Sequence, residues 1–281
     1  MALLIADIGG SSSRWAVIGQ GVAHALPGPF PGFNPSSGDP GAMQETLRTM
    51  DLGAGAGHLD VVAYGAGCGH PVRAARMHEA LAAVWPLARI EVGTDLLGAA
   101  RSLYGRAPGL VLILGTGMNA GFFDGAHLRT PMPSLGYVLG DEGSGADIGK
   151  HLLRDALHGV IPPEIGSSLF PNGPILSEVL EAVYRSPAAQ AYVASFAGAL
   201  AGHVQHNYVH DLLSARFVAL AQVLGRYHAL DERHEVRAIG SVATGFRSIL
   251  ETTLAQFGMQ LTAAVRDPLP GLLAYHAPVL S

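Results

Sequence analysis

Residues 2–14, ALLIADIGGSSSR, decide the fold of this 281-residue chain. Five apolar residues lead to Asp7, a turn of glycine and serine follows, and apolar residues resume in RWAVIG. This order predicts two strands joined by a tight hairpin. Glycine lets such a turn approach a phosphate group, to which backbone N–H groups and serine hydroxyls can donate hydrogen bonds. A surface turn without a ligand is the alternative for this stretch taken alone.

A second stretch of the same kind begins at residue 109. GLVLIL, residues 109–114, is apolar on both faces, as a central strand of a sheet is. It runs into LGTGMNAG, residues 114–121, and a second apolar run follows in GFFDG. Thr116 and Asn119 would then lie at the sheet edge where open α/β folds bind ligands, although an ordinary hairpin is the alternative. The repeated strand, glycine turn and strand suggest two related halves.

The rest of the chain alternates between strand and helix patterns. Residues 27–41 are rich in Pro and Gly, which predicts a loop. The chain is helical in pattern up to about residue 230, and Pro and Gly interrupt this helical stretch at 159–174. We predict strands at 59–64, 88–92, 236–240 and QLTAAV (260–265), and helices at about 42–50, 71–84, 246–257 and 270–276. The predicted fold class is α/β with two lobes, residues 1–105 and 106–281. The C-terminal lobe carries helical insertions, and its last helix can pack back on the N-terminal lobe.

Composition and charge narrow the classes of partner. Apolar residues make up 49% of the chain, which allows a large buried core. The net charge of -5 comes from 17 basic and 22 acidic residues without long runs of one sign, so we expect neither nucleic acid nor membrane as a partner. The one cysteine, Cys68, fits a reducing compartment. MALLIADIGG lacks the basic start of a signal peptide, and no apolar run approaches the roughly 18 residues of a membrane span. We therefore predict a cytoplasmic protein that binds small molecules.

One acid stands at the predicted end of a strand. Thr94-Asp95-Leu96 joins the strand at 88–92 to an otherwise apolar helix. Phosphoryl transfer to a hydroxyl needs a carboxylate that orients the hydroxyl and accepts its proton. The alternative is that Thr94 or Asp95 only caps the helix.

Two further glycine-rich segments could bind ligands. GYVLGDEGSG, residues 136–145, places Asp141 and Glu142 among four glycines, where they could accept hydrogen bonds from a polyol. The same acids could instead oppose the dipole of the helix predicted from about residue 146. Gly240-Ser241-Val242-Ala243 follows a strand and opens a helix, which suits close approach of a base or ribose.

Other patterns in the chain match known motifs poorly. A Walker A loop is excluded because Gly143 is one residue too far from Gly149-Lys150. His203, His206 and His210 have helical spacing and would allow a zinc site, but no acidic pattern lies nearby, so we favour a polar helix face. Cys68, between two glycines, is interpreted as a small packed residue.

Taken in order, the five segments resemble the sugar-kinase branch of the actin-like ATPase superfamily, whose fold is ribonuclease H-like. They are most similar to the N-acetylglucosamine kinase group within the BadF/BadG-type ATPase family. The resemblance extends over nearly the whole chain, and GYVLGDEGSG with LGTGMNAG is its most specific part.

The resemblance implies a role for each segment. It implies ATP and Mg²⁺ as cofactors, with Asp7 holding the metal through water and Asp95 as the catalytic base for the 6-hydroxyl of the sugar. The implied ATP-binding residues are Asp7, Gly9, Gly10, Ser11, Ser12, Ser13, Arg14, Gly115, Thr116, Gly117, Gly240, Ser241, Val242 and Ala243. The implied sugar-binding residues are Asn34, Asp95, Asn119, Ser134, Leu135, Gly136 and Asp141.

The chain departs from the family pattern at two places. Ile8 and Ser11 stand where many relatives have glycine and threonine, and the loop that carries Asn34 is short and rich in proline. The expected activity is N-acetylglucosamine kinase, with glucosamine or N-acetylmuramic acid as alternative substrates. A BadF-type ATPase with an iron–sulfur cluster is disfavoured by the single cysteine, and a sugar-binding protein without catalysis is a third interpretation. A homodimer is compatible with the resemblance.

Overall fold

The computed structural model describes residues 2–10, 12–19, 22–28, 30–36, 38–52 and 59–277. The chain divides into two compact units. Unit 1 comprises the described residues of Met1–Ala107 and Asp267–Ser281, and unit 2 is Pro108–Arg266. None of the helices in the described ranges combines the length and apolarity that a membrane crossing requires.

Both units contain a sheet and helices. The strands are β1 (Ala2–Ile8), β2 (Ser12–Gly19), β3 (Val22–Ala25), β4 (Phe30–Pro31), β5 (Leu59–Gly65), β6 (Arg89–Thr94), β7 (Gly109–Leu114), β8 (Met118–Phe123), β9 (Leu128–Arg129), β10 (Glu235–Ile239) and β11 (Gln260–Val265). The helices are α1 (Gly41–Arg48), α2 (Pro71–Ala82), α3 (Asp95–Tyr104), α4 (Gly136–Leu139), α5 (Gly145–Leu157), α6 (Pro163–Leu169), α7 (Leu176–Tyr184), α8 (Ala189–Ala199), α9 (Asn207–Tyr227), α10 (Leu230–Arg233), α11 (Ser241–Gly245), α12 (Arg247–Ala255) and α13 (Leu269–His276), with a 3-10 turn at Leu200–His203.

The sheet of unit 1 has the order β3-β2-β1-β5-β6, and β4 pairs with β2. β1 and β2 are antiparallel, which confirms the first hairpin. β1, β5 and β6 are parallel, so their carboxyl ends meet at one edge of the sheet. Side chains that follow these three strands are therefore neighbours.

The core of unit 1 lies on both faces of this sheet. Alternate residues of β1 enter different clusters, with Leu4 packed beside Trp15 on one face and Ile5 beside Leu272 on the other. α13 packs against α3, β1 and β2. It is also joined to the sheet by polar contact, since the Nε2 atom of His276 lies 2.9 Å from the hydroxyl of Tyr64. Burial on both faces explains why β1 is continuously apolar.

The sheet of unit 2 has the order β11-β10-β7-β8-β9. β7 is its central strand, parallel to β10 and antiparallel to β8, which confirms both the central strand and the second hairpin. The core on this sheet includes Leu110 and Leu112 of β7, and α9 adds four residues to it: Leu213, Phe217, Leu220 and Leu224. Their spacing of three and four residues is that of one buried helix face.

The structure differs from the sequence predictions at several places. The predicted loop at 27–41 contains strand β4, whose two residues pair with Ser12 and Ser13 of β2. The predicted break at 159–174 contains helix α6, in which Pro163 is tolerated because a first-turn residue needs no N–H partner. The exposed strand β3 and the short helix α4 were not predicted.

Candidate active site

Asp7 and Asp95 stand at the same edge of the unit 1 sheet. β5 lies between their strands, with Tyr64 opposite both Asp7 of β1 and Gly93 of β6. Thr94 caps α3, because its hydroxyl accepts a hydrogen bond of 3.0 Å from the N–H of Leu97. Asp95 is the first residue of α3, and its Oδ1 accepts 2.9 Å from the N–H of Leu96. The capping role thus belongs to Thr94, and the half-buried carboxyl of Asp95 remains beside it.

The environment of these two acids favours their protonated forms. Burial raises the pKa of Asp7 to about 6, although Arg14, 3.4 Å away, acts in the opposite direction. The charge of Asp267 also raises the pKa of Asp7. Burial raises the pKa of Asp95 to about 6 as well, and Asp7 adds to that shift while the Leu96 N–H opposes it. Such shifts are common where acids take part in chemistry.

The turn of the first hairpin exposes part of its backbone. The N–H of Gly9 donates to the carbonyl of Ser12 at 2.9 Å, and the carbonyl of Gly9 accepts from Phe33 at 3.0 Å. Gly10, Ser12 and Arg14 are exposed, so their polar groups can meet a ligand. Ser11 lies outside the described residues.

Ser13 is placed differently from the other residues of this hairpin. It is only 2% exposed, donates to the carbonyl of Pro31 at 2.7 Å and accepts from the indole N–H of Trp15 at 2.8 Å. Its hydroxyl is thereby used inside unit 1. The prediction that Ser13 donates to phosphate does not fit this geometry, because its hydroxyl already donates to Pro31.

Asn34 lies in an exposed turn that is fixed by arginines. Its Oδ1 accepts from the N–H of Ser36 at 2.9 Å. Arg73 donates to the hydroxyl of Ser36 at 3.3 Å, and Arg76 donates to the carbonyl of Pro35 at 2.7 Å. The sequence did not indicate these arginines, because their contacts join segments about 40 residues apart.

Cys68 lies near Asp95. It is 6% exposed, and burial together with the Asp95 charge raises the pKa of its thiol to about 11. This environment agrees with a packed residue and opposes a nucleophilic role.

A cavity of about 460 Å³ in unit 2 brings two predicted segments together. Gly115 and Thr116 of the second hairpin line it, as do Ser241 and Val242 of α11. Its remaining wall is made mainly of small side chains: Ala191, Ala194, Ser195, Ala197 and Gly198 of α8, with Ala201, Gly145, Thr244, Gly245, Phe246 and Arg266 completing it. The volume is in the usual range of small-molecule sites. Sequence analysis missed the contribution of α8.

Gly240 and Ala243 have packing roles next to this cavity. Gly240 has a φ of 136°, and a Cβ atom there would lie 2.2 Å from the carbonyl oxygen of Leu114. Only glycine fits, because the backbone after β10 passes directly over the end of β7. Ala243 is fully buried in the core.

Asp141 stands beside the second hairpin. It is 8% exposed, it accepts from the backbone N–H of Met118, and its Oδ2 lies 3.4 Å from the side-chain nitrogen of Gln190. Burial raises the pKa of Asp141 to about 6; the Met118 N–H opposes this, and Glu142 adds to it. Gly117 abuts the same carboxylate.

Most of the other predicted sugar-binding residues lie close to Asp141. A cavity of about 100 Å³ is lined by Ser134, Leu135 and Asp141, together with Met118, Met132, Pro133, Gly140, Glu142, Val223, Arg226 and Tyr227. Gly136 begins α4 with a φ of 70°. Asn119 is half-buried in β8, and its Oδ1 accepts from the N–H of Ala120 at 3.0 Å.

The loop that carries Asp141 is tied to the second hairpin. The N–H groups of Gly145 and Ala146 donate to the carbonyls of Gly115 and Thr116 at 2.7 and 3.1 Å. Ser144 caps α5, and Asp147 accepts from the N–H of Gly143 at 3.0 Å. The two glycine-rich segments therefore form one structural element.

The three histidines contact neighbouring side chains. His203 lies 2.9 Å from the hydroxyl of Ser168, and His206 lies 2.9 Å from a carboxylate oxygen of Glu164. His210 lies 3.8 Å from Asp211. Within the described ranges, no three His, Cys, Asp or Glu side chains are arranged to hold a metal ion.

Comparison with known proteins identifies relatives among solved structures. No family model matches the chain, and no curated protein matches it. A protein of Porphyromonas gingivalis provisionally named N-acetylglucosamine kinase is 33% identical, with 99% of this chain and 100% of that chain covered and a TM-score of 0.89. A Chromobacterium violaceum protein provisionally given the same name is 20% identical, with 98% of each chain covered and a TM-score of 0.70. A glucokinase of the ROK family from Streptomyces griseus is 15% identical, with 100% and 99% covered and a TM-score of 0.51, and shares the fold.

The two sheets and their paired hairpins define the class: this is a sugar kinase fold of the actin-like ATPase superfamily. Within that class, the identity of 33% over essentially the full length of both chains decides the family. The chain belongs to the family of the Porphyromonas gingivalis protein, among the sugar kinases of this superfamily. The finer placement in the BadF/BadG group stays a prediction.

Proposed function

We propose that this protein transfers the γ-phosphoryl group of ATP to the 6-hydroxyl of an amino sugar, with N-acetylglucosamine as the preferred acceptor. The observation that carries the proposal is the carboxyl of Asp95, half-buried at the sheet edge, with Thr94 occupying the capping position. The name of the Porphyromonas gingivalis relative supports the choice of sugar.

Asp95 would act on the attacking hydroxyl. The hydroxyl oxygen bonds to the γ-phosphorus, its proton passes to a carboxylate oxygen of Asp95, and the bond to the bridging oxygen breaks to release ADP. A carboxyl with a pKa of about 6 is ionised at neutral pH and has a basicity close to the working pH, which suits this proton transfer.

The nucleotide would be bound by groups from the segments described above. In unit 1 these are the exposed turn of Gly9, Gly10 and Ser12 with Arg14, and in unit 2 Gly115 and Thr116 with Ser241 and Val242. Gly117 and Gly240 would keep the unit 2 backbone in place. The small side chains of α8 leave the room that an adenosine group needs.

Mg²⁺ fits the donors that the chain offers at Asp7. This ion keeps several waters and takes one or two carboxylates besides the phosphates of its nucleotide. Asp7 is such a carboxylate, and Asp267 is close enough to act on its pKa. When bound, the ion would neutralise charge on the phosphates.

The sugar contacts are proposed for each unit separately. In unit 1 they are Asp95 and the exposed side chain of Asn34. In unit 2 they are Asp141, Asn119 and the stretch Ser134, Leu135 and Gly136. The cytoplasmic location and the homodimer stay predictions.

The decisive experiment is a coupled ADP-release assay with Mg·ATP and separate sugars. The sugars are N-acetylglucosamine, glucosamine, N-acetylmuramic acid, N-acetylmannosamine and glucose, and product mass locates the phosphate. We expect the highest kcat/KM with N-acetylglucosamine. A higher kcat/KM for another amino sugar would support the kinase activity and identify that sugar as the substrate. ADP release that no sugar stimulates indicates an ATPase, and sugar binding without turnover indicates a binding protein.

The pH dependence of turnover should follow two raised pKa values. The pKa values of Asp95 and Asp141 are both raised to about 6, and both acids are proposed to act ionised. We therefore expect kcat/KM for the sugar to fall as the pH drops below about 6, with a slope steeper than one proton. A profile that stays flat from pH 8 to pH 5 contradicts these assignments.

A further inference from the structure

We propose that Gln190 is a positioning residue, which holds the Asp141 carboxylate towards the sugar and connects it, through α8, to the nucleotide cavity. The inference deepens the proposed function and rests on it. Gln190 would touch neither the sugar nor the nucleotide in this role. It would act through Asp141.

The backbone of Asp141 shows that its position is imposed by its surroundings. Among the described residues it is the one non-glycine residue with a positive φ, at 61°. That conformation is uncommon for a residue with a Cβ atom and persists where neighbouring contacts determine it. The carbonyl of Asp141 accepts from the N–H of Ser144 at 3.0 Å, and its carboxylate accepts from Met118.

Gln190 approaches the carboxylate from α8. Its side-chain nitrogen lies 3.4 Å from Oδ2 of Asp141, and both groups lie over Gly117 of the second hairpin. A Cβ atom on Gly117 would be 2.9 Å from Oδ2 and 3.1 Å from the Gln190 nitrogen. The hairpin, the acid and the amide thus meet at one point, where a side chain on residue 117 would separate them.

The same helix forms the wall of the nucleotide cavity. Ala191 follows Gln190 directly, and Ala194, Ser195 and Gly198 continue along α8 into that wall. A helix transmits a small displacement along its length because its backbone is internally hydrogen-bonded. A nucleotide bound in the cavity would therefore contact α8, the same helix that carries Gln190, the partner of Asp141.

The side chain of Gln190 suits this role because its amide is a hydrogen-bond donor that stays neutral at every pH. Its amide can fix Oδ2 and leave Oδ1 to accept from sugar hydroxyls. The charged groups around Asp141 are Glu142 and Asp147, which disfavour its ionised form, Lys150, which favours it, and Arg226 of the adjoining small cavity. Without the amide donor, the ionised form of Asp141 loses a hydrogen bond and its pKa rises further. Sugar binding, which uses the ionised form, should then require a higher pH.

The test compares Gln190→Leu and Gln190→Glu with a matched control, Gln222→Leu on the exposed surface of α9. We expect Gln190→Leu to raise the sugar KM about tenfold, as loss of a hydrogen bond to a charged group does, and to leave the Kd of an ATP analogue in the absence of sugar nearly unchanged. The acid limb of kcat/KM should move to higher pH, and further in Gln190→Glu, which places a second carboxylate beside Asp141. Gln222→Leu should match the wild type.

Coupling to the nucleotide is measured by calorimetry with N-acetylglucosamine, with and without a non-hydrolysable ATP analogue. We expect the analogue to change the sugar Kd in the wild type and to change it less in Gln190→Leu. Unchanged sugar KM, or a raised KM with an unmoved acid limb, overturns the positioning role, and equal coupling in both proteins overturns the link through α8. A wild type that neither binds nor phosphorylates any sugar overturns the proposed function itself.

Discussion

Asp95→Asn is expected to lower kcat for sugar phosphorylation by about 10²- to 10⁴-fold, the usual contribution of a positioned base. Asparagine keeps an oxygen that can accept from the Leu96 N–H, so the start of α3 should be unchanged. It cannot take the proton of the attacking hydroxyl. Turnover is measured by ADP release, and binding of an ATP analogue by calorimetry should stay close to the wild-type value.

The same variant should not be less stable than the wild type at neutral pH. Since the folded pKa of Asp95 is raised to about 6 from 3.8, the folded state favours the protonated acid, and its contribution to stability is lost as the pH rises through 6. Asparagine removes this loss. We expect an equal or higher Tm for the variant at pH 7.5, and a difference that vanishes towards pH 4.

Asp211→Asn serves as the control for Asp95→Asn, because the side chain of Asp211 is 83% exposed. It should change neither kcat nor the dependence of Tm on pH. Turnover of Asp95→Asn within a few-fold of the wild type would reject Asp95 as the base. A large loss of Tm would instead show that the residue is mainly structural.

Gly240→Ala is expected to lower turnover with ATP strongly. The added carbon would lie 2.2 Å from the carbonyl of Leu114, in a backbone conformation that alanine rarely adopts. Either β10 or the end of β7 must move, and Gly115 and Thr116 follow directly. A displacement of about 1 Å near a reacting group can reduce turnover about 10²-fold.

The expected readouts are a kcat/KM for ATP lower by about 10²-fold and a Tm lower by several degrees, as overpacking by about 1–3 kcal/mol implies. Gly202→Ala is the matched control, because nothing lies within 4 Å of a Cβ atom at that position. If Gly240→Ala binds the ATP analogue as tightly as the wild type, the proposed adenosine segment is misplaced.

Sequence patterns predicted the parts of the fold that depend on neighbours along the chain. Both hairpins were recognisable because the strands and the turn are contiguous, and β7 was recognisable as a central strand by its apolar residues. Strand β4 was missed because Pro31 suggests a loop, and its pairing partners in β2 lie 17 and 19 residues away in sequence. The exposed strand β3 shows no alternation of polar and apolar residues.

The candidate site also depends on contacts and side-chain directions that the sequence does not show. The three serines of the first turn look alike in the sequence, but Ser13 shares a strand face with the buried Trp15, whereas Ser12 points outward. The parity of β2 decides this, and it could be determined only once the start of the strand was known. Gln190 lies 49 residues from Asp141, in a helix whose sequence contains no ligand motif.

The buried thiol of Cys68 makes this chain convenient for single-molecule fluorescence. A maleimide reacts with thiolates, and a thiol that is 6% exposed with a pKa of about 11 presents almost none at pH 7. One cysteine introduced on the surface of each unit, for example by Glu45→Cys and Ser177→Cys, could carry a pair of dyes while the natural cysteine remains in place. The energy transfer between the dyes would measure the distance between the two labelled sites as ATP and sugar are added.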